Sequence, residues 1–513
     1  MRQKLVDFIK LLTGAEEEEQ LLVILCFLAV FLLLVSYYIV KPMRNSQFLK
    51  EFPPNFKPIF FLISVCFSLG FTKVFNYFFE RMNIHRLLKF TFIIMMSCKL
   101  LFIFILNSGQ QWGVTAFFFW ASSYFLLCSA AVWGAINFLF KPEQSRRCFG
   151  FIAIGATLGA WLGAPSARLL ISNDLKEYLL LVSAVVMFLT MLCMHHAAKL
   201  KIQIGKQGTN NHEDRLCEKS TTESVKIKSS LLKDVFSLLK QKYARCLAVM
   251  VFALAVSNTI LDFQSDPIID TQICKKNYMI SFSELNTLLN GNLQDGLNND
   301  GFEFVYRFKF QPKNKRNDYI NKFLEKHSEL ESLNFEKLIK HLSLYKELNY
   351  KEMGVFYSTT YSYQNVIGLI LLLCSRYIFK YLSIRFAVLL LPCFFLIAGY
   401  LLNFDIGLEV IQLLMVLSGS LNYSLNNVTK EILYTPTSPV TKGKYKAIIE
   451  GPVMRLGDFF AALLKLILIA LFGQVLYVDF FLGIGLLIII LWLTSVWYIS
   501  GVYQKSINDK VLS

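Results

Sequence analysis

Apolar positions along the chain gather into long continuous runs separated by short polar stretches. The runs do not alternate with a period of two, so they do not read as the strands of a membrane barrel. Most approach the ~20 residues that a helix needs to cross about 30 Å of hydrocarbon. Twelve spans are expected, at 21–40, 58–79, 87–106, 112–139, 149–170, 178–194, 244–263, 354–375, 384–402, 407–425, 452–472 and 476–500. The first is too long for the core of a cleaved leader and lacks a small-residue cleavage site, so it reads as a retained helix.

Two polar stretches interrupt the series. Segment 195–243 divides six spans from six; Gly205 to Thr222 reads as a flexible linker. Ser229 to Lys240 then places Leu231, Leu232, Val235, Phe236, Leu238 and Leu239 at helical spacing, which predicts an amphipathic helix along the membrane face. Segment 276–350 carries turn-forming clusters at 290–292 and 298–301, then a helical pattern from Asp318 to Leu348. It reads as a small, mostly helical insertion on the extracytoplasmic side. The expected divisions are a six-helix bundle at 1–194, the linker at 195–243, span seven with its extension at 244–275, the insertion at 276–350, and spans eight to twelve at 351–513.

The two sets of six look like repeats. Arg81 and Arg86 after span two match Lys380 and Arg385 after span eight, 299 residues later, and Arg147 and Lys446 share that offset. Lys41 and Asp262, at the ends of spans one and seven, lie only 221 residues apart, and the insertion accounts for the difference. The expected fold is an all-α polytopic membrane protein with twelve helices as 6+6 parallel repeats. That is the major facilitator architecture, whose substrate site lies near the midplane between the halves.

Composition agrees: 55% of the 513 residues are apolar and only 17% are charged, fewer than in an ordinary soluble protein. A net charge of +16 raises nucleic acid as a partner, but the cations fall mostly in alternate short loops. That distribution follows the positive-inside rule, puts both termini in the cytoplasm and makes the lipid bilayer the partner instead. The 11 cysteines show no C-x-x-C spacing and read as small buried hydrophobes, with no metal site or cofactor implied. No phosphate-binding loop, nucleophile elbow or zinc-protease motif is present, so no enzyme activity is expected.

One short outer loop, 41–57, breaks the charge rule with Lys41, Arg44, Lys50 and Lys57. Lys41 and Arg44 have two readings. They anchor span one to headgroups, or they line a central cavity for an anion, with Pro42 breaking the helix between them. Asp262 either ends span seven at the interface or pairs with those cations across the cavity. Arg455 and Asp458 share a helix face at the start of span eleven, with Lys465 two turns on. Lys73 and Lys99 also lie inside spans, where either can snorkel. Tyr357, Tyr361 and Gln364 in span eight, Asn422, Tyr423 and Asn426 in span ten, and Ser129, Trp133 and Asn137 in span four offer polar and aromatic contacts suited to a base carrying phosphates. Gly155, Gly159 and Gly163 form a close-packing ridge.

The run Tyr38, Lys41, Pro42, Met43, Arg44, Asn45 resembles the end of the first span in the ATP/ADP (NTP/NDP exchange) transporters of intracellular bacteria and plastids. Three further stretches are similar to that family: Trp133 to Phe138 with Glu143 to Gly150, Thr259 to Gln264, and Lys430 to Ser438 followed by Lys444 to Ala447 and Arg455 to Asp458. The family's usual Arg-Asp-x-Lys-Asp pattern keeps its cations here but loses both acids, and Glu450 stands where relatives often carry Asp. The resemblance implies a divergent nucleotide exchanger working by alternating access. Lys41, Arg44, Lys446 and Arg455 would bind phosphates, Asp262 and Asp458 would pair with them in a state-dependent way, and Asn137, Tyr357, Tyr361 and Asn422 would contact the base. Two alternatives stay open: another organic or phosphorylated anion with proton coupling through Asp262, and a transporter-like receptor that binds a protein partner through its insertion.

Overall fold

The computed structural model describes residues 16, 19–79, 81–82, 84–140, 142–175, 178–208, 240–288, 297–311, 315–326, 335–381, 384–434 and 449–512. The amphipathic stretch expected at 229–240, except its last residue, lies outside them, and so does Lys446. Six helices form the first half: α1 (Gln20–Glu51), α2 (Lys57–Phe79), α3 (Ile84–Asn107), α4 (Gln111–Leu139), α5 (Pro142–Ser172) and α6 (Leu179–Gly208). After the linker come α7 (Lys242–Leu288), the short α8 (Leu297–Phe308) and α9 (Arg316–Lys326), and then α10 (Phe335–Tyr381). The chain ends with α11 (Ile384–Leu401), α12 (Leu408–Leu421), a π-helical turn at Asn422–Asn426, α13 (Asn427–Leu433) and α14 (Met454–Leu512). The last is bent at Gly473, whose φ of 73° suits glycine.

Ten stretches among the described residues are long and apolar enough to cross a membrane. The helices holding expected spans two and eight are not among them. Helix α2 is nonetheless rich in apolar residues along its length, from Ile59 and Phe60 to Phe78 and Phe79. In α10 the span is diluted by Ser358, Thr359, Thr360, Ser362, Gln364 and Asn365. Around the bundle, large apolar side chains such as Leu373, Leu471, Leu413 and Trp497 are more than half exposed, a surface suited to lipid and not to water.

Three expected boundaries differ. Span one does not end at Val40, and Pro42 does not break it: α1 runs on to Glu51 with Pro42 inside. Proline removes one backbone donor, yet a membrane helix survives this when neighbours support the backbone. Within the same helix, Ser46 Oγ donates to the carbonyls of Pro42 and Met43 at 3.0 and 3.2 Å. The cations at 41 and 44 therefore lie within a helix and not in a loop. Helix α7 likewise continues through Pro267 to Leu288. The helical pattern expected to stop at Leu348 does not: α10 runs from Phe335 through it to Tyr381, continuous with span eight.

The inserted helices have no core of their own. Phe304, Val305, Phe308 and Ile320 are buried in one cluster with Phe48 and Phe60 from the first half and Ile269, Tyr345 and Phe356 from the second. Two further cores fill the halves, one around Phe117, Trp120 and Tyr124 and one around Phe395 and Trp492.

The glycine ridge of α5 lets α1 approach to backbone contact. A Cβ added at Gly159 would stand 2.1 Å from the carbonyl oxygen of Phe31, and at Gly155 it would stand 2.7 Å from that of Phe27. At Gly150 a Cβ meets nothing within 4 Å. Gly159→Ala is expected to cost about 1–3 kcal/mol by overpacking, and Gly150→Ala to be near neutral. Thermal unfolding of the detergent-purified protein checks both.

Candidate functional site

Lys41 and Arg44 lie ten and seven residues before the end of α1, so about 15 and 10 Å inside it at a rise of 1.5 Å per residue. Neither has an ion-pair partner among the described residues. The Lys41 ammonium sits 4.0 Å from the ring centre of Tyr361 and 5.2 Å from that of Tyr38, a cation–π arrangement. Arg44 donates from Nε and Nη2 to Asn45 Oδ1 at 3.1 and 2.9 Å and from Nη1 to Ser122 Oγ at 3.3 Å. Asn45 Nδ2 then donates to Tyr361 Oη at 2.9 Å. One tyrosine of the second half thus lies under the lysine and accepts from the asparagine that holds the arginine.

Asp262 is also inside its helix, 20 residues from the start of α7. It does not pair with Lys41 or Arg44, and among the described residues it has no ion pair. It lies within the field of Lys57, Lys41 and Arg44. The carboxylate that does pair is Asp266, one turn on, which the sequence pattern did not single out. Buried Lys57 and Asp266 form an ion pair between the halves. Tyr357 is drawn into that pair and not into an open cavity: its hydroxyl donates to Asp266 Oδ1 at 2.7 Å.

Arg455 and Asp458 meet each other at 3.3 Å, and Thr259 Oγ1 donates to Asp458 at 3.0 Å. Arg455 and Tyr423 are exposed, Tyr423 by 58%. Among the described residues, the polar centre is therefore left uncovered by protein on the side where α14 begins. Asn422 accepts from Asn426 within the π turn at 3.2 Å, and Asn137 is exposed at the inner part of α4. Lys465 is buried and donates to the carbonyl of Phe263 at 3.0 Å. Lys99 does not snorkel. It is fully buried and donates to Ser36 Oγ at 2.7 Å and Ser183 Oγ at 2.6 Å, tying α3 to α1 and α6. Lys73, by contrast, is exposed.

Ion pairs between the halves collect on the face that bears the insertion. Besides Lys57–Asp266, Lys346 meets Glu51 at 2.8 Å, Lys351 meets Asp174 at 2.9 Å, and Lys50 meets Glu347. Burial pushes Lys346 down to about 8 while Glu51 pulls it back up, so it stays charged at neutral pH. Within the inserted part, buried Lys309 pairs with Asp270 of α7, and Tyr306 Oη donates to the same carboxylate at 2.7 Å. Burial disfavours the charge on Lys309, but Asp270 and Cys274 hold it above the ordinary lysine value. The halves are thus tied by ion pairs at the insertion face.

Removing one member of a buried ion pair leaves the other charged and unsolvated, a loss of about 3–5 kcal/mol. Lys57→Ala is expected to show that loss in thermal unfolding. The double variant Lys57→Ala with Asp266→Ala should recover a substantial part of it, giving a coupling energy in a double-mutant cycle.

The family model for the TLC ATP/ADP transporters matches residues 370–503. No curated protein matches the chain. Among solved structures, a mutant form of the nucleoside transporter NupG is similar over 94% of this chain and 99% of its own, at 10% identity and a TM-score of 0.50. A POT family transporter in complex with 5-aminolevulinic acid is similar over 93% and 96%, at 11% identity and a TM-score of 0.50. At these identities the likeness concerns the fold alone, that of a helical membrane transporter. The matched segment takes in the end of α10, α11, α12, α13 and most of α14, and over that stretch the chain is similar to the ATP/ADP transporter family.

Proposed function

We propose that the protein exchanges nucleotides of the ATP/ADP type across its membrane by alternating access. The observation that carries this is the pair Lys41 and Arg44, two cations deep in a membrane helix with no carboxylate partner among the described residues. An unpaired charge in hydrocarbon must meet water or a ligand, and an anion entering from the uncovered side supplies the missing charge. The match of the second half to the ATP/ADP transporter model supports a nucleotide as that anion. Tyr37, Tyr38, Tyr361 and Tyr423 offer ring surfaces near the cations for a base, while Arg455 adds a third positive group at the mouth.

Exchange follows from the charge. An empty carrier holding Lys41 and Arg44 unpaired pays a desolvation cost when the halves close around them, whereas a bound phosphate chain offsets it. Movement of the halves is then favoured when loaded. The loop charges support an assignment of the insertion face to the outside and both termini to the cytoplasm. Asp262, a carboxylate with no ion pair among the described residues, favours one second reading, the uptake of an organic anion together with a proton.

Uptake of labelled ATP and ADP into proteoliposomes preloaded with nucleotide tests the proposal. Lys41→Ala and Arg44→Ala are each expected to lower uptake at least about 100-fold, the loss of roughly 3 kcal/mol of charge pairing in a dry site, with the protein still inserted. Normal uptake by both variants would remove these residues from the site. A dependence on an imposed pH gradient, abolished by Asp262→Asn, would favour the second reading.

A further inference from the structure

Between the first half and the inserted helices lies a cavity of about 320 Å³, within the size range of small-molecule sites. It is separate from the Lys41 centre. Its walls come from the end of α1, the end of α3, the start of α6, the end of α8, the start of α9 and the stretch of α10 from Ser343 to Tyr350. Three cations line it, Lys50, Arg316 and Lys346, against two carboxylates, Glu51 and Glu347. The carboxylates are already engaged: Glu51 with Lys346 and Glu347 with Lys50. Arg316 is left over. Its Nε donates to the carbonyl of Gln311 at 3.2 Å, and its guanidinium lies 5.5 Å from the ring centre of Phe308. Among the described residues it has no carboxylate partner. The ring of Tyr350 also lines the cavity, with the Lys50 ammonium 5.1 Å from its centre.

Both engaged carboxylates belong to bonds between the halves. Glu51 is on α1 and Lys346 on α10, while Lys50 is on α1 and Glu347 on α10. A ligand that takes Lys50 and Lys346 for itself therefore dissolves two of the ties that hold this face shut. A single negative charge can replace only one carboxylate. A ligand with two or more charges can replace both and gain Arg316 as well, a cation that no carboxylate among the described residues satisfies.

We propose that this cavity is a recognition site for a soluble anion of at least two charges, such as a polyphosphate chain, and that its occupancy releases the ion pairs closing the insertion face. The inserted helices would then serve transport directly, because Arg316 and Phe308 come from the insertion. The proposal rests on the reading of the protein as an anion transporter only for the identity of its ligand; the cavity itself stands apart from the central site.

The test uses the full chain carrying Lys41→Ala and Arg44→Ala, so that the central site is silent, in discs of zwitterionic lipid. Inorganic pyrophosphate is the probe and inorganic phosphate the control, followed by calorimetry. Pyrophosphate is expected to bind, and to bind more tightly than phosphate. Adding Arg316→Gln and Lys50→Gln should weaken it at least about tenfold, with unchanged elution and thermal unfolding showing that the fold persists. No pyrophosphate binding, or binding that the two substitutions leave unchanged, would overturn the site. Loss of binding in discs containing phosphatidylglycerol would assign the cavity to a lipid headgroup and overturn a soluble ligand.

A second measurement reads the opening. Spin labels at Asn173→Cys and Leu344→Cys, on a background without the other cysteines, should move apart when pyrophosphate is added. An unchanged distance would overturn the coupling to closure. Failure of ATP uptake by the unmodified chain with pyrophosphate binding intact would count against the proposed transport and not against this cavity. The reverse result, uptake without cavity binding, would count against the cavity alone.

Discussion

Lys57 and Asp266 come from opposite halves of the protein, and each is buried on the other. Taking an ammonium and a carboxylate out of water costs several kcal/mol apiece unless they meet. Here they do meet, and the hydroxyl of Tyr357 satisfies a second oxygen of the carboxylate. Because neither charge is tolerable alone in that position, the pair fixes how α2, α7 and α10 approach one another. The pairs Lys346–Glu51 and Lys50–Glu347 extend the same logic toward the insertion. Such bonds close a face firmly, yet they can be exchanged for water or ligand when the halves separate, which a purely apolar seam cannot do.

The Lys41 and Arg44 centre is built on the opposite principle. Its cations are held by a ring face, an amide and a hydroxyl, none of which carries a full negative charge. These contacts orient the groups without neutralising them. Tyr423 and Arg455 lie exposed on the side where α14 begins. Lys99 shows how different a structural cation looks: fully buried, bonded to two serines, and packed over Tyr124 at 4.7 Å.

The inserted segment belongs to the transporter's own packing. Its apolar side chains are spent on a cluster shared with both halves, and its charged ones on Asp270 and on the walls of the cavity beside α1. Lengthened α7 and α10 carry it, so motion of these helices must also move α8 and α9.

From sequence alone, the lengths of the apolar runs determined an all-helical membrane protein, because only a continuous run of that kind satisfies backbone and lipid together. The glycines of α5 were legible as a packing ridge for the same local reason. Lys41 and Arg44 were visible as misplaced charges, but their place was misjudged, since a proline followed by polar residues looks locally like the end of a helix. Only packing around Pro42 keeps α1 intact to Glu51. Asp262 was legible as a charge within a span, whereas the pairing of its neighbour Asp266 with Lys57 was not. Partners 209 residues apart leave no mark in local spacing, and the choice between Asp262 and Asp266 depends on which face of α7 the other half covers. The insertion was visible as polar sequence, but its union with both halves and the leftover charge of Arg316 exist only once the helices have packed.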